Sequence, residues 1–188
     1  RRASPDFPPV LAAPAAPLSF AADAPLIARP IPSSGELLPI IGIGTAIIFD
    51  FENDAAKYAE RRKVIETMVA GGAKLIDTAH SYGRAEDRVG ELAADLKVRD
   101  KLFLATKYSY GADAVSANAS MQRSLARLRT NRVDLMQAWN VGDENFKLDL
   151  PREWQKQGLT RYVGMTTSFQ RQYAAIGKVL AREKPDFI

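Results

Sequence analysis

The sequence predicts an α/β protein whose parallel strands build a β/α barrel. Three observations lead there. After residue 40, short apolar runs alternate with longer stretches whose apolar residues recur at helical spacing, with short links between them. Repeated right-handed crossovers of that kind give parallel strands covered by helices, in a closed barrel or an open doubly wound sheet. The glycine-bearing run IGIGTA lies inside the first apolar run rather than between a strand and a helix, and no acidic residue follows at the expected place on a second strand. That pattern disfavours a dinucleotide-binding open sheet and favours the barrel. A (β/α)8 barrel typically needs roughly 250 residues. The 188 residues here are therefore expected to make an incomplete one.

The elements follow in order. Residues 1–30 are rich in Ala and Pro behind two leading arginines. They read either as the remnant of an export signal or as a flexible, Pro-stiffened leader. Ile31 to Pro39, with Ser33-Ser34-Gly35 between apolar pieces, predicts a hairpin and the start of the single barrel domain, 31–188. IIGIGTAII (40–48) predicts a buried strand. Residues 55–70 predict a helix with Val64, Ile65, Met68 and Val69 on one face, stopped at Gly71-Gly72. KLID (74–77) is the next strand, and 85–96 a helix carrying Val89, Leu92, Ala93 and Leu96. KLFLAT (101–106) is followed by a helix capped by Asp113 and facing inward through Met121, Leu125 and Leu128. VDLMQA (133–138) is a strand, Leu148 to Gln157 a helix around Trp154 ending at Gly158, and TRYVGM (160–165) a strand. Residues 170–182 predict a helix with Tyr173, Ile176 and Leu180 inward, and PDFI (185–188) opens a sixth strand.

Composition excludes several chemistries. There is no cysteine, so thiol nucleophiles, zinc–thiolate sites, iron–sulfur clusters and disulfides are out. One histidine rules out a histidine-rich metal site, and no compact Asp/Glu cluster offers a carboxylate one, so no metal is expected. The net charge of +4 is spread among mixed signs, and the Arg-rich run 123–132 has the spacing of a solvated helix face. Neither makes a nucleic-acid groove. No stretch reaches the roughly 18 to 20 apolar residues of a membrane span.

In a barrel, chemistry sits at the C-terminal strand ends. Those ends hold Asp77 and His80, Lys107, Trp139 and Asn140, and Thr166 and Thr167. Asp77, Tyr82 and Lys107 form a set. An ammonium beside a phenol favours the phenolate and lowers the phenol's pKa from about 10, which suits a general acid near neutral pH. A carboxylate keeps such a lysine charged and placed, and a carbonyl oxygen receiving a hydride needs that proton and that field. The plainer alternative is a structural ion pair beneath a tyrosine that only covers the core.

On PIIGIGT (39–45), LIDTAHSYGRAEDRVGELAADL (75–96), KLFLATK (101–107), MQRSLARLRTNRVDLMQAWN (121–140), REWQKQGLTRYVGMTTS (152–168) and PDFI (185–188), the chain resembles the aldo/keto reductases. It resembles in particular a bacterial branch that often carries export leaders. The resemblance covers residues 31–188 and implies an NADPH-linked enzyme on the eight-unit barrel that delivers hydride to an aldehyde or ketone. It implies Tyr82 as proton donor beside Lys107 and Asp77. It assigns Gly44, Thr45, Asp77, Asn140, Thr166 and Thr167 to the cofactor, the two threonines standing where the family has a Ser-Asn pair.

Two departures qualify the expectation. Trp139 stands where the family has its catalytic histidine, directly before Asn140, and indole offers one N–H and takes no proton near pH 7. His80 either approaches the mouth as a substitute or is a surface or packing residue. The family's last two or so β/α units, with the glutamine, stacking aromatic and basic loop that hold the cofactor, fall beyond Ile188. A fragment ending there is expected to expose an open edge and to be inactive alone. The leading expectation is therefore a carbonyl reductase altered by Trp139. The alternatives are a non-catalytic NADPH-binding relative or part of a larger assembly, and a phosphate-binding barrel enzyme. Substrate identity, a monomeric or homo-oligomeric state, and a periplasmic or cytoplasmic location stay open.

Overall fold

The computed structural model describes residues 25–188. The leader expected over 1–30 lies outside the described residues as far as residue 24. The described chain opens with an antiparallel hairpin, β1 (Ala28–Pro30) on β2 (Leu37–Pro39), so hairpin structure begins ahead of Ile31. Five strands then form one sheet in the order β3 (Gly42–Gly44), β4 (Leu75–Asp77), β5 (Phe103–Ser109), β6 (Val133–Trp139) and β7 (Thr160–Met165). Every neighbouring pair is parallel. Helices α1 (Ala55–Ala70), α2 (Ala85–Asp95), α3 (Ala114–Arg127) and α4 (Asp149–Lys156) supply the crossovers, and α5 (Tyr173–Glu183) follows β7. Phe187 continues the series, bridging Gly164 in parallel beyond β7. Sequential order, parallel pairing and one helix per crossover are the pattern of consecutive units of a β/α barrel.

Strand alternation divides the core in two. Ile76, Leu104, Tyr108, Met136, Ala138 and Met165 face the helices, where they join Ile65, Leu92, Met121, Trp154 and Ile176. On the other face Phe103, Ala105, Leu135 and Tyr162 form a second cluster with Ile31 of the hairpin. Those residues lie in the first halves of their strands, so the hairpin packs over the N-terminal end of the sheet interior. The C-terminal end is left to polar side chains, Asp77, Lys107 and Gln137, on the same inner face.

Three expectations are corrected. The strand foreseen over 40–48 is only Gly42–Gly44. At Thr45 both the backbone N–H and the hydroxyl donate to the Asp77 carbonyl, and the chain then turns, with Ile47 at φ 67°. That turn drops Phe49 into the core and leaves Ile47 and Ile48 exposed. An apolar run does not distinguish a strand from such a loop. On α1 only Ile65 and Met68 are buried, while Val64 is exposed. On α5 the buried pair is Ile176 and Val179, and Tyr173 is 58% exposed. At 100° per residue Tyr173 lies about 90° from the centre of that pair, at the flank of the stripe.

Candidate active site at the C-terminal strand ends

Lys107 sits inside β5 on the inner face, its side chain only 7% exposed. A lysine there must be paired to stay charged. Its Nζ donates to Asp77 Oδ2 at 2.6 Å and to the Thr78 carbonyl at 2.8 Å. The other carboxylate oxygen, Asp77 Oδ1, accepts from Gln137 Nε2 at 3.1 Å. The carboxylate at the end of β4 is thus held from β5 and, across it, from β6. Gln137 went unnoticed in the sequence; its signal was a polar residue two positions before Trp139, hence on the same strand face.

Tyr82 comes from the turn after β4. Its backbone is closed locally, with Tyr82 N–H donating to the Ala79 carbonyl at 3.1 Å and Ala85 N–H to the Tyr82 carbonyl at 2.9 Å. Asp50 fixes the next residues: Oδ1 accepts from Arg84 N–H at 3.0 Å, and a Cβ on Gly83 would lie 2.2 Å from that oxygen. Glycine is favoured there, at φ 53°, and a side chain would have to displace the Asp50 carboxylate. The turn brings the phenol ring over Lys107, whose Nζ lies 5.1 Å from the ring centroid.

Trp139, the last residue of β6, closes the group. Its indole stands edge-on to Tyr82 at 6.5 Å and to His80 at 5.9 Å between centroids. His80 is turned inward: Nδ1 is 2.9 Å from the Lys107 carbonyl, and Nε2 is 3.2 Å from Ser109 Oγ. A carbonyl only accepts, so that contact places the proton on Nδ1 and leaves Nε2 to accept from Ser109 in the neutral ring. Behind the sheet, the fully buried Glu86 accepts from Thr106 Oγ1 at 2.7 Å and lies 3.5 Å from Arg127, which reaches the His80 carbonyl at 3.4 Å.

A second polar cluster adjoins at the ends of β6 and β7. Asn140, at φ 56°, donates its N–H to Thr166 Oγ1 at 3.2 Å. Asn140 Oδ1 accepts from Ser168 N–H at 2.9 Å and Ser168 Oγ at 2.6 Å. Thr167 Oγ1 donates to Gln172 Oε1 at 2.5 Å, and Gln172 Nε2 reaches the Asn140 carbonyl at 3.4 Å. Ser168 and Gln172 were also missed, because only the loop's fold brings them to Asn140. Of the remaining candidates, Gly44 pairs in register with Asp77, and Thr45 is buried with its hydroxyl committed to the Asp77 carbonyl.

Aspartate and tyrosine from the β4 unit thus meet the lysine of β5, the next strand. Over residues 40–187 the chain matches the Aldo/keto reductase family. The chain belongs to the aldo/keto reductase family. An aldo-keto reductase of Mycolicibacterium smegmatis is 32% identical over 137 residues, covering 68% of this chain and 44% of the relative. One from Mycobacterium avium is 35% identical over 100 residues, covering 52% and 32%. Among solved structures, the holo form of a Bacillus halodurans aldo-keto reductase superposes with a TM-score of 0.69 at 20% identity, over 85% of this chain and 55% of that one. A Klebsiella pneumoniae aldo-keto reductase in complex with NADPH gives 0.64 at 23% identity, over 77% and 51%. These likenesses show the fold, an aldo/keto reductase β/α barrel of which five paired strands are present here. The chain spans 34%, 44% and 51% of the length of three curated relatives it matches. Among the described residues no helix is long and apolar enough to cross a membrane, and no group of three or more His, Asp or Glu is placed to hold a metal.

Proposed function

We propose that the protein reduces an aldehyde or ketone with NADPH, and that Tyr82 gives the carbonyl oxygen its proton. One observation carries the reading: the buried Lys107 ammonium, 2.6 Å from Asp77, lies against the Tyr82 ring at the mouth. NADPH supplies the hydride when bound. Lys107, its own side chain 7% exposed, contributes a fixed positive field where oxygen charge develops. Asp77 holds the ammonium in place, and Gln137 holds Asp77. Trp139 walls the site on the side of the Tyr82 and His80 rings.

The strand-end residues fit a nicotinamide amide. Asn140 Oδ1 is occupied by Ser168, which leaves the Asn140 amide N–H2 free to donate. Thr166 Oγ1 accepts from Asn140 N–H, which leaves the threonine's own proton to give. Asn140 and Thr166 would hold such an amide from β6 and β7. Relatives solved with NADPH or NADP support the choice of cofactor at family level.

The test is Tyr82→Phe in the full-length protein. Carbonyl-dependent NADPH oxidation should fall by about 10²–10⁴-fold, the usual worth of a positioned general acid, with NADPH affinity near normal. Unchanged turnover would overturn the reading. A second reading, a family member that binds NADPH without turnover, is favoured by one observation: the Trp139 indole occupies the space beside both Tyr82 and His80. Reduction of any small aldehyde by the unaltered protein would exclude it.

A further inference from the structure

We propose that the opposite, N-terminal end of the barrel carries an anion-binding pocket for a compact multivalent oxyanion of the phosphate or pyrophosphate type. A cavity of about 260 Å³ opens there between the starts of β4, β5, β6 and β7 and the hairpin. A volume of that size suits a small anion and not a polymer. It is a separate site, because its residues start the strands whose other ends carry Asp77, Lys107, Trp139 and Thr166.

Its floor is rigid. Asp134, 4% exposed, accepts from the Leu104 N–H at 2.8 Å, from Arg99 at 3.2 Å and from Arg161 at 2.9 Å. Arg161 also pairs with Glu36 of the hairpin, and Arg99 is further tied to the Leu102 and Arg132 carbonyls. Two guanidinium groups are thereby fixed at the base with little rotamer freedom left to lose on binding. Around them stand Lys74, Lys101 and Arg132, all exposed and, among the described residues, without an ion-pair partner. The lining holds five cationic side chains against three carboxylates, Glu36, Asp134 and Asp100, and the first two are already spent on the floor arginines. The lining therefore carries an excess of positive charge, which a bound anion would offset. A multivalent oxyanion matches several donors at once, where a chloride would not.

The experiment is calorimetric titration of the full-length protein with inorganic pyrophosphate and with phosphate, at constant ionic strength and with saturating NADP present. Saturable one-site binding is expected, tighter for pyrophosphate. Lys101→Glu and Arg132→Glu should each weaken it about tenfold or more, the loss of one hydrogen bond to a charged group. Both side chains are exposed and unpaired, so the fold should survive, which a circular dichroism melt checks. Lys63→Glu, on the outer surface of α1, should leave affinity unchanged. Three results would overturn the proposal: no binding with NADP present, which would put the anion at the cofactor's end; equal losses in all three variants, which would mean general attraction; or an effect no greater than that of sodium chloride at equal ionic strength.

Discussion

At Trp139 the chain places an aromatic wall where the family resemblance leads one to expect imidazole. The indole N–H can donate but cannot shuttle a proton, and its bulk stands against Tyr82 and His80. If the indole limits the reaction, Trp139→His in the full-length protein should raise carbonyl turnover, read as kcat on a small aldehyde. A rate no higher than the parent's would mean that the pocket is built around Trp. His80 points toward this wall, yet its Nδ1–H is tied to the Lys107 carbonyl and its Nε2 to Ser109. It is placed to orient rather than to exchange protons with substrate, so His80→Ala should cost less turnover than Tyr82→Phe in the same assay. The inward turn of His80 was one of two readings open in the sequence, and the backbone carbonyl of a neighbouring strand selected it.

Individual elements were legible to different depths. The helix opened by Asp113 was read directly, and the structure has Asp113 Oδ1 accepting from Ser116 N–H at 3.0 Å. That local bond needs only the sequence around it. The contact between α2 and α3 could not be read that way. A Cβ on Gly90 would lie 2.1 Å from the Arg127 carbonyl oxygen and 2.7 Å from the Leu128 carbonyl carbon. Both are backbone atoms that cannot swing aside. Gly90→Val should therefore destabilise the protein by about 1–3 kcal/mol or more, read from the urea midpoint. A value within experimental error of the parent would show that the two helices separate freely. The same helix pair carries Glu86 and Arg127 toward the His80 turn, so loosening it should also lower turnover.

At the N-terminal end of the molecule the hairpin is joined to the sheet by charge as well as by the apolar cluster around Ile31. Burial raises the Glu36 carboxyl, but hydrogen bonds from Tyr162 and Arg161 outweigh it, and the group is held below the usual carboxylate range. Its folded pKa lies below its unfolded one. The stability it adds is therefore present above the unfolded value, near 4.3, and is lost as pH falls through the lower folded value. Hydrogen exchange in the hairpin, residues 28–39, should speed up on acidification before the strand core opens. Glu36→Gln should show the faster hairpin exchange already at neutral pH and a flatter acid response; an unchanged acid profile would remove Glu36 from this role.

By itself the sequence determined the alternation of parallel strands and covering helices, the family, and the placing of Asp77, Trp139 and Thr166 at strand ends, while Lys107 lies two residues inside the end of β5. Those follow from periodicity and local order along the chain, which neighbouring residues carry. The tertiary structure alone decided that Gln137 locks Asp77, that His80 faces Trp139, that Gly90 admits no side chain, and that five cations from the starts of four strands line one pocket. Each of these joins residues far apart in the chain. Their distances are set by how the strands stack and how the turns close, and no single stretch of sequence encodes that.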